Sequence, residues 1–288
     1  MSLHHPLVQS LALPFALAFV WAALARTLAG PESGARWAAA GVSLGLVLSS
    51  IAAIGWVGRP LSITEKLPWI IAAAALAGIV AEWLRASARL QWAAAGALWA
   101  LAVIVVLGNQ PMLPRIGSWI VGMAVIGAVL AEPPARANAA AMLVVAALGL
   151  AALAMRSGSA LLFELSLALS AAVAAAGLWL WPVSRIRLGA SALIAAVVTW
   201  LSLAQSTGLL TGAPPGSVLL LAASFSSGAV VRGVRQRLRR GEAPPWVETL
   251  LVAGVAVLWV LAALALAHWG GKAFGADPSD PYYAPTWK

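Results

Sequence analysis

Apolar residues run through this chain in long unbroken stretches, and polar residues collect in the short breaks between them. Ten stretches stand out, at 7–29, 37–57, 67–84, 90–108, 116–131, 137–155, 161–182, 188–205, 216–231 and 246–268. A helix needs about 20 apolar residues to cross the ~30 Å hydrocarbon layer of a bilayer. Most of the runs have that length, the fifth and ninth being the shortest. Strands of a membrane barrel would instead alternate apolar and polar positions over about ten residues. The breaks are rich in turn formers, as in Gly58-Arg59-Pro60, Asn109-Gln110-Pro111, Glu132-Pro133-Pro134 and Gly212-Ala213-Pro214-Pro215. No break is long enough for a soluble domain. The pattern predicts an all-α, polytopic integral membrane protein. Residues 1–269 form a single ten-helix bundle, and residues 270–288 form a tail of different character.

Composition agrees. Of 288 residues, 62% are hydrophobic and 9% charged, against roughly 25% charged in soluble domains. A chain of this size has no way to hide that much apolar surface from water. The net charge of +9 therefore reads as a topology signal and as attraction to anionic headgroups, not as a footprint for nucleic acid. There are no cysteines, so disulfides and thiolate chemistry are excluded. The start of the chain lacks the basic flank of a signal peptide, and the first run is long enough to span. It is expected to be retained, with cleavage near Ala29 as the alternative.

Basic residues orient the spans. Breaks after odd-numbered runs carry Arg26, Arg36, Arg85, Arg89, Arg136, Arg185, Arg187, Arg232, Arg235, Arg237, Arg239 and Arg240. The opposite set carries Arg59, Lys66, Arg115, Arg156, Lys272 and Lys288. Lys and Arg are retained on the cytoplasmic side. The first set is therefore expected inside a bacterial cytoplasmic membrane, with both termini outside. The run from Arg232 to Arg240 decides this, because without it the two sets nearly balance. Its five arginines, Arg232, Arg235, Arg237, Arg239 and Arg240, are expected to contact anionic lipid headgroups. Tryptophans such as Trp56, Trp69, Trp83, Trp92, Trp119, Trp246 and Trp269 fall near run ends, as amphipathic rings at the headgroup level should. Trp21, Trp99, Trp200 and Trp259 fall inside runs and need packing partners.

Ten runs divide into two sets of five that start on opposite sides, the arithmetic of an inverted repeat. In length and segment count the chain is similar in outline to the drug/metabolite transporter superfamily. No motif accompanies that likeness, and the expected outside N-terminus departs from it.

Few residues carry chemistry. Charges inside spans are expensive, and here they sit near run ends. Glu82, three residues before Arg85, is expected to pair with it at the surface. Glu248 is expected to sit in a first helical turn, where the dipole favours an anion. Glu164 has two readings: a proton- or cation-binding carboxylate at a pore mouth, or an interfacial first-turn carboxylate helped by Arg156. Thr199, Ser202 and Gln205, spaced by three, share a face of the eighth run. Together with Ser224, Ser226 and Ser227 of the ninth they form a polar seam. It reads either as a solute path or as hydroxyls bonding within and between helices. Gly41 with Gly45, Ser118 with Gly122, and Ser224 with Gly228 have the small-xxx-small spacing of close helix contacts. Pro14 should distort the first helix. His4, His5 and His268 fall on one side and would hold a metal or haem only if the termini met; no cofactor and no metal are expected. The tail breaks from helix at Gly270-Gly271. Its Tyr282, Tyr283 and Trp287 lie among prolines, and it reads either as a docking segment for a membrane-protein partner or as an interfacial anchor.

Two functions follow: a transporter or channel for a small uncharged or amphiphilic solute or a lipid, or a non-catalytic scaffold or accessory subunit of a membrane complex. An enzyme ranks behind both, since acids are few and no nucleophile stands out. The orientation has a direct check. Topology reporters fused after Gln236 and after Lys288 should report opposite faces, and a shared face would overturn the assignment.

Overall fold

The computed structural model describes residues 8–108, 110–238 and 244–273, the last four by backbone alone. Ten helices are long and apolar enough to span a membrane: α1 Val8–Leu28, α2 Gly30–Ile54, α3 Ile63–Trp83, α4 Ala88–Leu107, α5 Met112–Leu130, α6 Asn138–Arg156, α7 Ala160–Leu180, α8 Ala190–Leu210, α9 Pro215–Arg237 and α10 Pro245–Trp269. The described residues contain no strand. The protein is an all-α polytopic bundle.

Local chemistry sets the helix ends. Ser62 and Glu65 form a reciprocal capping box at α3, and Ser87 and Ser159 cap α4 and α7. Pro215 and Pro245 begin α9 and α10, where a missing N–H costs nothing. Pro14 follows a π-helical turn at Val8–Ala12, a common way for a helix to absorb a proline ring. Four boundaries lie five or more residues from the sequence reading. Helix α2 begins at Gly30, where a turn was expected. Helix α8 runs on to Leu210. Helix α9 continues to Arg237, so Arg232, Arg235 and Arg237 end a helix instead of forming a loop. Arginine is a good helix former, and its long stem lets the charge reach water from a helix end. The backbone also stays helical through the double glycine to Ala273. Residues 274–288, with Tyr282, Tyr283 and Trp287, and the arginines Arg239 and Arg240 lie outside the described residues, as do His4 and His5.

Helix α8 is the axle. Its most apolar stretch is 78% buried, against 22% for α1, α5 and α10 on the periphery. It packs most extensively on α3, while α6 lies along α7, and α1 along α2 and α7. The two halves share neighbours: α1 pairs with α2 as α6 does with α7, α4 pairs with α5 as α9 does with α10, and α3 on α8 and α2 on α7 join the halves. The correspondence breaks at α10, which packs along α6 with no comparable contact between α5 and α1.

Lipid tails are as apolar as leucine, so close packing, not exclusion of water, holds such helices together. Glycines permit it. A β-carbon on Gly41 would collide with Ala18 and Trp21 of α1, and one on Gly78 with the Ala190–Ser191 backbone. Trp99 and Trp200 are fully buried. The indole of Trp99 lies on Gly122 and donates to the Ser118 carbonyl at 3.2 Å. Adding a methyl at Gly122 should therefore destabilise the bundle by about 1–3 kcal/mol through overpacking. Thermal unfolding in detergent should show this for Gly122→Ala. Gly117→Ala on the same helix meets open space and should be neutral or stabilising.

Candidate functional site

Helix α9 is one span whose α-helical hydrogen bonding is interrupted midway. An α-helical half, Pro215–Ala223, gives way to one 3-10 turn, Ser224–Ser226, before Ser227–Arg237 resumes the α-helix. The serines make the break from within. Ser224 Oγ donates to Leu221 O at 2.6 Å, Ser226 Oγ to Ala223 O at 2.7 Å and Ser227 Oγ to Ser224 O at 2.6 Å. Hydroxyls that back-bond this way compete with the backbone ladder and bend helices. A mid-helix 3-10 turn often marks a hinge. The second half of the expected seam is thus self-satisfied at the break.

Above the break, a groove of about 420 Å³ opens between α4, α5, α8 and α9. Its lining runs from Ala213 and Pro215 at the mouth down to Trp200, which stands midway along α8. The groove therefore reaches the middle of the membrane from the side opposite the arginine run. Trp200 lines its inner end, and behind the lining that ring meets Phe225 of the 3-10 turn edge-to-face, ring centroids 4.8 Å apart. Its walls are apolar except for Gln205 and Ser118, whose side chains hydrogen-bond each other at 3.3 Å. A mostly apolar cleft with a few polar groups is the usual form of a small-molecule site.

Of the eighth-run seam, only Gln205 reaches the groove. Thr199 and Ser202 are fully buried, and the groove wall follows Leu201, Ala204, Gln205 and Gly208 on another flank of the helix. Glu164 stands half-buried near the start of α7, away from the groove, without a hydrogen bond or ion pair among the described residues. Arg156, expected beside it, instead contacts His268 Nδ1 at 2.9 Å.

Below the break, on the arginine face, a buried polar cluster ties four segments together. Glu132 is 3% exposed and Asn138 0%. The Asn138 amide donates to Glu132 Oε2 at 3.1 Å and to Glu248 Oε1 at 3.0 Å, and its carbonyl accepts from Thr249 at 2.9 Å. Arg232 pairs with the other oxygen of Glu132, and Arg136 with the other oxygen of Glu248 at 2.7 Å. Two carboxylates face two guanidiniums, and every carboxylate oxygen has a donor. The amide can point only one way, since a flip would set its oxygen against both anions. The ion pair between Glu132, just past α5, and Arg232 of α9 lies toward the arginine face from the groove, about three helical turns beyond its last lining residue on α9, Ala222. A β-carbon on Gly228 would overlap the Glu132 carboxylate, so the Ser224–Gly228 spacing seats an acid, not a neighbouring helix.

Sequence reasoning passed over Glu132 as turn punctuation, left Asn138 unremarked inside the sixth run and left Glu248 as a simple first-turn anion. The available signal was that Glu32, Glu82, Glu132, Glu242 and Glu248 all fall on the arginine-rich side. Glu82 differs too. It pairs with Arg36 at 2.9 Å and not with Arg85, it accepts from the Ser191 N–H, and it rests on Gly189. The C-terminal turn of α3 carries Arg85 away from it, whereas α2 brings Arg36 across. All three ion pairs among the described residues lie on the arginine face.

No protein-family model matches this sequence, and no curated protein does.

The cluster makes a measurable claim. Replacing Asn138 with leucine, its near-isostere, strands one oxygen on each of two buried carboxylates, at about 1–3 kcal/mol for each unsatisfied group. Asn138→Leu should lower the unfolding temperature well beyond Thr249→Val, which removes a single donor to the amide. Equal effects would show that the amide does not organise the acids.

Proposed function

We propose that this protein is a multi-pass permease of a bacterial cytoplasmic membrane for a small uncharged or amphiphilic solute, with the arginine face inward and both termini outside. One observation carries the reading. A groove that reaches mid-membrane is lined by α9 up to Ala222, just before that helix tightens into a 3-10 turn, and an ion pair farther along the same helix ties it to the end of α5. Broken helices at mid-membrane, with closure on one side of a central site, are the working parts of alternating access. The apolar walls and the Gln205–Ser118 pair suit a ligand with one hydrogen-bonding group and an apolar body, and no charge in the lining calls for a charged one. In this reading α9 pivots about Ser224–Ser226. The groove narrows as Arg232 leaves Glu132, and the arginine side opens. Arg235, Arg237, Arg239 and Arg240 attract anionic headgroups and hold that end of the helix at the membrane surface.

The alternative, a scaffold or accessory subunit, draws support from the solid interior around α8, where Thr199 and Ser202 meet no cavity. The lack of native cysteines makes the choice accessible to labelling in proteoliposomes. A membrane-impermeant maleimide should modify Gly208→Cys from the groove side, and Ser227→Cys from neither side. Adding Arg136→Gln and Arg232→Gln should expose Ser227→Cys to the arginine side and protect Gly208→Cys. Labelling rates indifferent to those two charges would select the scaffold.

A further inference from the structure

A second cavity, of about 670 Å³, lies on the arginine face and shares no lining residue with the groove. Its walls come from the start of α2, the end of α3, the start of α4 and the segment leading into α8. Its volume falls within the roughly 300–1,000 Å³ of small-molecule sites, but its character differs from the groove's. Three arginines line it, Arg36, Arg85 and Arg187, against Glu32 and Glu82. Glu82 is already committed to Arg36 and to the Ser191 N–H. Arg36 spends Nε on that pair and leaves a buried Nη2 with no partner. Arg85 and Arg187 make no side-chain hydrogen bond or ion pair among the described residues. The only carboxylate left to oppose them is the exposed Glu32.

The backbone adds an independent sign. Helix α3 closes with the Ala86 N–H on the Ala81 carbonyl, which places Arg85 at the left-handed residue of the turn, φ 51°. Glycine is the usual occupant of that position because a β-carbon is strained there. Arg85 is the only non-glycine residue with positive φ among the described residues, and its guanidinium lines the cavity. A strained backbone that persists beside a cleft points to use of the side chain.

We propose that this cavity binds a phosphate-bearing anion, held by the guanidiniums of Arg85 and Arg187 with Arg36 behind them. Guanidinium forks match phosphate oxygens in pairs, and Trp37 on the rim offers an apolar surface at headgroup depth. The same chemistry would take the headgroup of an anionic phospholipid or a free phosphate.

The test uses the full chain purified in a neutral detergent, with phosphatidylglycerol as probe and native mass spectrometry as readout. Wild-type protein should retain the lipid. Arg85→Gly and Arg187→Gln should each weaken retention about tenfold, the worth of one charge-assisted hydrogen bond. Arg59→Gln on the opposite face should change nothing. Arg85→Gly also relieves the backbone, so it should unfold at a higher temperature than wild type, separating loss of binding from loss of fold. Displacement of the lipid by millimolar inorganic phosphate would assign the site to free phosphate as well, and resistance to it would assign the site to the lipid headgroup. Retention unchanged in both arginine variants, or absent in wild type, would overturn the proposal.

Discussion

An ionised carboxylate removed from water must be matched by charge and by hydrogen bonds, or it stays protonated or out of the membrane. That constraint organises this protein. Its shielded acids, Glu82, Glu132 and Glu248, occur only where an arginine from another segment of the chain can reach them. Two of them need glycines, Gly189 and Gly228, to approach a neighbouring backbone. The cluster around Asn138 is saturated and formally neutral, which lets it sit at the edge of hydrocarbon without stranding a polar atom. Removing any one member would be far more costly than never having built the cluster.

The same constraint explains the break in symmetry between the halves. Packing of α10 along α6 has no counterpart between α5 and α1, and it is this contact that sets Glu248 against Asn138. Charge is therefore concentrated on one side of the bundle. The other side, free of ion pairs among the described residues, is the side on which the groove opens. The buried ion pairs and the groove thus lie toward opposite ends of the bundle, and the 3-10 turn of α9 lies between them.

The architecture was legible because hydropathy is a local property. A run such as 246–268 announces a span whatever its neighbours do, and all ten spans appear where the runs predicted. Partner choice was not legible. Glu82 lies three residues from Arg85, and sequence proximity suggested that pair, yet the helix turns Arg85 away and a residue 46 positions distant takes its place. Glu132, between an alanine and two prolines, looked like part of a turn. Only the fold shows that it meets Arg232, 100 residues on. The polar seam was half legible. The spacing of Thr199, Ser202 and Gln205 grouped them on one side of α8, yet only Gln205 lines the groove, and the other two are buried. Which flank of that helix faces a cavity depends on the tilt of α9, and no residue of α8 encodes that.

The position of the break in α9 also has a mechanical meaning. The turn sits near mid-bilayer, so each half of the helix is a lever about 15 Å long. Arg232 lies about 9 Å along the lower lever, so a tilt of about 10° would carry its backbone about 1.6 Å, more than the span of a hydrogen bond's working range. In the proposed permease, a small rotation at the pivot would thus be enough to separate the pair of charges.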